Sequence, residues 1–158
     1  MPESKPAQGV IVCQGGNIGG WSLYANGGKL KYCYNLLGIR YFYAEANTTL
    51  SKGEHQVRME FAYDGGGLGK GGTATLYVDG KKAGEGRVDA TAAAVFSADD
   101  GCDVGRDTGS PVSQDYGPVN NAFNGVVKGV QLAIAGDVSA PDHLVSPEHA
   151  MAIAMARQ

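Results

Sequence analysis

Several carboxylates crowd one short span of this chain. Asp99, Asp100, Asp103, Asp107 and Asp115 sit among glycines that permit tight turns. Calcium takes about 6–8 oxygen ligands, often from such loops, but the spacing does not follow the EF-hand pattern. Arg106 beside Asp107 points instead to an internal ion pair or an anion contact, and a loop satisfied by its own Asx turns is a third reading. An arginine in a glycine-rich loop forks onto a carboxylate through charge-assisted hydrogen bonds. Arg106 is therefore expected to be partly buried and to hold residues 97–124 against the body of the fold. The candidate ligand- or partner-binding set is Arg106, Asp107, Ser110, Asp115 and Tyr116, with Asp64 at the head of the glycine-rich segment 64–72.

The other chemical signals fail on context. Gly67-Leu68-Gly69-Lys70-Gly71-Gly72 satisfies G-x-G-x-x-G. A dinucleotide fingerprint needs a helix behind the glycines to hold the pyrophosphate, whereas residues 73–78 alternate like a strand. The segment reads as a hairpin loop. Cys13, Cys33 and Cys102 have no C-x-x-C spacing, and His55, His143 and His149 do not cluster. A zinc site needs about four such ligands in tight local pairs, so no metal, cofactor or catalytic residue is assigned. Three widely spaced cysteines fit free thiols rather than a disulfide framework. Tyr32, Tyr34, Tyr41, Phe42 and Tyr43, with Trp21 and Tyr24 upstream, are dense enough for a sugar-binding platform. Alternation, however, puts Tyr32 and Tyr34 on the Leu30/Leu36 face, as core.

Composition narrows the class. There are 25 glycines among 158 residues, more than twice the usual share of about 7%. Charged residues make up 18%, too few for a disordered acidic chain or a coiled coil. The glycines lack the three-residue period of collagen. A net charge of −3 argues against nucleic acid as partner. No apolar run approaches the ~18 residues of a membrane span, and the first residues lack a signal peptide's apolar core, so a cytoplasmic location is expected.

Positioning falls to strands. In residues 54–63, His55, Val57, Met59, Phe61 and Tyr63 alternate with Gln56, Arg58, Glu60 and Ala62, the pattern of a half-buried strand. In 29–36, Leu30, Tyr32, Tyr34 and Leu36 oppose Lys29, Lys31, Cys33 and Asn35; 73–79 alternates likewise. Shorter strands are expected at 9–14, 20–25, 39–46, 83–89 and 125–135. Asn26-Gly27-Gly28, Leu37-Gly38 and Asp79-Gly80 separate them, and Asn-Gly and Asp-Gly supply positive-φ turn residues. About eight closely spaced strands imply an all-β antiparallel sandwich or barrel. Residues 97–124 form a long polar loop, and residues 137–158 a linker and a short C-terminal helix opened by Ser146-Pro147-Glu148. The domain thus spans 1–136.

Four pieces together resemble a known family. They are Gln14-Gly15-Gly16-Asn17-Ile18-Gly19-Gly20-Trp21-Ser22-Leu23-Tyr24, Tyr34-Asn35-Leu36-Leu37-Gly38, the run from Phe61 to Gly72, and Asp103-Val104-Gly105-Arg106-Asp107-Thr108-Gly109-Ser110-Pro111-Val112. Over roughly residues 9–134 the chain is similar to the C-terminal accessory domain of bacterial arylsulfatases. The resemblance implies a jelly-roll, concanavalin-A-like β-sandwich, here without the catalytic domain. The sulfatase motif C-x-P-x-R or S-x-P-x-R is missing: Cys102-Asp103-Val104-Gly105-Arg106 lacks the proline, and Ser4-Lys5-Pro6-Ala7-Gln8 lacks the arginine. The chain is thus expected to be a stand-alone, non-catalytic binding or assembly module. The alternatives are a lectin-like glycan binder and a subunit completing a separately encoded sulfatase. The relatives carry an extra strand ahead of the Val10 strand. Its loss here is expected to leave an exposed edge and, through that edge or the tail, a homodimer.

Overall fold

The computed structural model describes residues 5–93 and 101–133. These residues form eight strands and no helix: β1 (Gly9–Gly16), β2 (Gly19–Asn26), β3 (Lys29–Leu36), β4 (Arg40–Thr49), β5 (Val57–Tyr63), β6 (Lys70–Val78), β7 (Lys81–Ala90) and β8 (Cys102–Val104). They make two antiparallel sheets, one ordered β4-β3-β2-β1-β8 and the other β5-β6-β7. Three of the tight turns that join them are those the sequence marks. Gly27 and Gly28, Leu37 and Gly38, and Asp79 and Gly80 all take positive φ, which lets two-residue turns match the twist of the flanking strands.

One core lies between the sheets. Leu30, Tyr32, Tyr34, Leu23 and Phe42 of the larger sheet meet Ala74, Leu76, Ala83 and Val88 of the smaller, with Val57, Met59 and Phe61 packed alongside. Strands β7 and β4 approach very closely, because β7 presents glycines to the β4 backbone. A Cβ on Gly84 would stand 2.1 Å from Glu45 O, and one on Gly86 2.1 Å from Tyr43 O. Any side chain there would force the strands apart.

The opposite face of the larger sheet is covered as well. Val10, Cys13, Tyr24 and Cys33 form a second cluster with Val112, flanked by Tyr41, Tyr43 and Tyr116. This corrects the half-buried reading of β3: Cys33 and Asn35 are fully buried, since the segment after β8 lies over them. A bulge in β1 sorts the two faces. Val10 pairs with Tyr24 and Val12 with Leu23, so Ile11 is the extra residue. Ile11 and Val12 therefore both join the inter-sheet core, while Val10 and Cys13 face the loop.

Two expected elements differ. The polar stretch after residue 97 contains strand β8, whose Val104, Asp103 and Cys102 pair with Val12, Cys13 and Gln14. Residues 125–133, expected to begin a strand, carry none. The outer side of β1, expected to be an open edge, is occupied. Beyond β8, the Gly105 amide donates to Ile11 O at 2.8 Å and the Val10 amide to Asn121 O at 2.8 Å. The expected C-terminal helix lies outside the described residues.

Candidate functional site

The segment after β8 is held down by polar side chains that turn inward, an arrangement set by the need to satisfy buried hydrogen-bonding groups. Asp107 is only 3% exposed. Its Oδ2 accepts the Val112 amide at 3.1 Å and the Tyr116 hydroxyl at 3.0 Å. That hydroxyl also lies 3.0 Å from Ser22 Oγ on β2. Asn121 closes the segment: its Nδ2 donates to Asp107 O and Gly117 O, and its Oδ1 accepts the Asp107 amide. Further along, Asp115 Oδ2 accepts from Tyr24 at 2.5 Å and from Lys31 Nζ at 2.6 Å. Burial alone would raise the Asp115 carboxyl, but Lys31 and Tyr24 hold it below its ordinary range. The Tyr24 and Tyr116 rings meet edge to face with centroids 5.4 Å apart.

Arg106 does not hold the segment as expected. It is exposed, and its neighbour Asp107 anchors the segment instead. Only one of two adjacent side chains can turn toward the sheet, and the carboxylate finds backbone and hydroxyl donors there. Nor do the sequence-predicted residues form one site. Asp107, Asp115 and Tyr116 serve the buried network, and Ser110 Oγ accepts the Asn17 amide at 2.9 Å. Asp64 lies just past the end of β5, beside the other sheet, in a two-pronged pair with Arg87, which holds its carboxyl low.

Two features escaped the sequence. The first is a donor cluster: Cys13, Asp103 and Asp107 each place one sulfur or carboxylate oxygen within 4.8 Å of the others. Burial, then the carboxylates of Asp107 and Asp103, push the Cys13 thiol up to about 12. Burial likewise raises Asp107, against weaker opposing pulls from the Val112 amide, the Tyr116 hydroxyl and the Gly109 amide. Asp103 instead sits low, as the hydroxyl and amide of Thr108 bond its Oδ2 at 2.6 and 2.8 Å.

The second is an apolar tip where the β1–β2 and β3–β4 turns meet. Asn35 builds it. Its Nδ2 lies 3.1, 3.1 and 3.0 Å from the carbonyls of Gly16, Asn17 and Val112, while its Oδ1 accepts the Gly38 amide at 2.7 Å. A Cβ on Gly38 would fall 2.7 Å from Asn17 O, so the turns touch. At this tip Ile18, Leu37 and Ile39 are 53%, 50% and 78% exposed. Leu37 holds φ at +56°, a region leucine rarely adopts and asparagine or glycine tolerates. Compared with family models, with curated proteins and with solved structures, the chain finds no match.

Proposed function

We propose that the chain is a non-catalytic assembly module that docks through the tip formed by Ile18, Leu37 and Ile39. The observation that carries this reading is Leu37. A leucine at φ +56° and half exposed bears backbone strain without the compensation of full burial. Backbone strain that the surrounding structure holds in place clusters at functional sites. Two further large aliphatic side chains beside it give the apolar centre that a protein interface needs, with Arg40 following in sequence as a polar rim. The occupant proposed is a second copy of the chain, with the tip in place of the expected edge contact, because β8 and the segment behind it occupy the outer side of β1. The two antiparallel sheets sharing one core support an all-β layered fold; the jelly-roll, concanavalin-A-like kind and a relation to the accessory domain of bacterial sulfatases are proposed on the resemblance in the sequence. Three free cysteines suit a reducing compartment, hence the cytoplasm. Among the described residues no helix is long and apolar enough to cross a membrane.

The test is light scattering on the full chain over a micromolar concentration series. A dimer is expected, and Ile39→Ser should weaken it at least tenfold without changing the circular dichroism spectrum, since that side chain is the most exposed of the three. A monomer throughout, or a dimer indifferent to Ile39→Ser, would remove the tip as the dimer contact.

A further inference from the structure

We propose that Cys13, Asp103 and Asp107 form a binding site for a divalent transition-metal ion of the zinc class, which clamps β8 and the segment behind it onto β1. The three donors come from two places far apart in sequence and converge because Cys13 and Asp103 are register partners in the β1–β8 pair. All three reach within 4.8 Å of one another. Tetrahedral zinc, with bonds of ~2.3 Å to sulfur and ~2.0–2.2 Å to oxygen, spaces its donors about 3.3–3.8 Å apart. Closing the cluster around an ion thus takes movements on the order of 1 Å.

A second observation points to a missing partner. Asp107 is buried, its Oδ2 is committed to Val112 and Tyr116, and its Oδ1 has no hydrogen-bond partner among the described residues. A buried carboxylate oxygen left unpaired is costly, and native structures rarely tolerate one without a ligand, water or ion to explain it. The electrostatics agree in sign. One thiol and two carboxylates crowd together, and like charges so close disfavour one another. A dication reverses that: it takes the place of the protons and favours the thiolate.

The donor set selects the ion. A thiolate with two carboxylates suits zinc or cobalt; calcium and magnesium prefer all-oxygen shells. Asp103, only half-buried, leaves an approach from solvent, and the fourth position is left for water.

Cobalt(II) reports on the site directly. The full chain, freed of metal by chelator dialysis, is titrated with Co2+ alone. The expected result is one ion per chain, with near-ultraviolet sulfur-to-cobalt charge transfer and the visible bands of a tetrahedral centre, both displaced by Zn2+. Cys13→Ser should abolish the charge-transfer band, and Asp103→Asn should weaken binding at least tenfold. Cys102→Ser and a His143→Gln, His149→Gln pair should change neither, which separates this site from other donors in the chain. If Cys13→Ser fails to fold by circular dichroism, the half-exposed Asp103→Asn decides: tenfold weakening supports the site, and unchanged affinity overturns it. No 1:1 complex at submillimolar Co2+, or a charge-transfer band that survives in folded Cys13→Ser, also overturns it.

Discussion

Replacing Asn35 by aspartate is a nearly isosteric change that tests how the tip is built. The acceptor for the Gly38 amide is kept, and no cavity is made. What is lost is the amide that faces three carbonyls, those of Gly16, Asn17 and Val112. Two N–H groups serve those three acceptors, so one is shared. In the acid form, the Asn35→Asp side chain can return one O–H, and the net loss of one buried donor costs about 1–3 kcal/mol. Ionised, its carboxylate oxygen faces three carbonyl oxygens with no proton between them. The second donor is then gone and a charge is buried, which adds about 2 kcal/mol or more. The new carboxyl therefore has a raised pKa in the folded state, so the folded protein holds its proton longer than the unfolded chain does. The variant's deficit should be smallest below the unfolded value of about 3.9 and grow as pH rises through the folded value, then level off. Urea denaturation of variant and wild type from pH 4 to pH 8 measures this, with the wild-type curve subtracting every other titration. A deficit that does not change with pH, or one below about 1 kcal/mol, would falsify the claim that Asn35 supplies buried protons to these carbonyls.

The remaining expectations are simpler. Gly86→Ala places a Cβ 2.1 Å from Tyr43 O, with only backbone on the other side; β7 must retreat from β4, and the loss of stability should be about 1–3 kcal/mol or more, whereas an unchanged denaturation midpoint would mean that the strands are not in contact. His55 is raised by its bond to Asp79 and then by Ser51 O, and Asp79 is lowered mainly by His55; the stabilisation from the histidine is full below its unfolded value near ~6.5 and lost as pH rises through the higher folded value, and that from Asp79 is lost only as pH falls below the acid range of about 4. Amide exchange at the β5–β7 strands should thus show protection declining from about pH 6 to pH 9 relative to intrinsic rates, and His55→Gln should flatten the decline. Leu37→Asn exchanges a strained, half-exposed leucine for a residue that tolerates positive φ; stability should hold or rise by up to about 1 kcal/mol, and a loss above about 1.5 kcal/mol would show that its packing outweighs its strain. The purified chain should not hydrolyse aryl sulfates above a buffer control, because the motif that matures to a nucleophile is missing.

The strands β1 to β7 and their turns were legible in the sequence because both signals are local. Period-two alternation follows from the pleat, and positive φ in short turns is met by a few residue types. Strand β8 was not legible, since three residues cannot show a period; its pairing is decided by Cys13 and its neighbours on β1. Residues 125–133 fail in the opposite way: Val126, Val127, Val130 and Leu132 look like strand material, but a strand exists only where a ladder partner does. The faces, too, were decided by tertiary contacts. Strict alternation would send Cys13 to the same side as Ile11, and the single bulge at Ile11 moves it to the loop side, among Asp103 and Asp107. Cys33 and Asn35 read as solvent-facing until the segment from Asp107 to Asn121 lies over them. Composition placed the chemistry in the acidic loop, but which of Arg106 and Asp107 turns inward depends on donors supplied by Val112 and Tyr116 at a distance no spacing encodes. A sequence states what each residue can bond; only the packed sheets decide which of those bonds have a partner within reach.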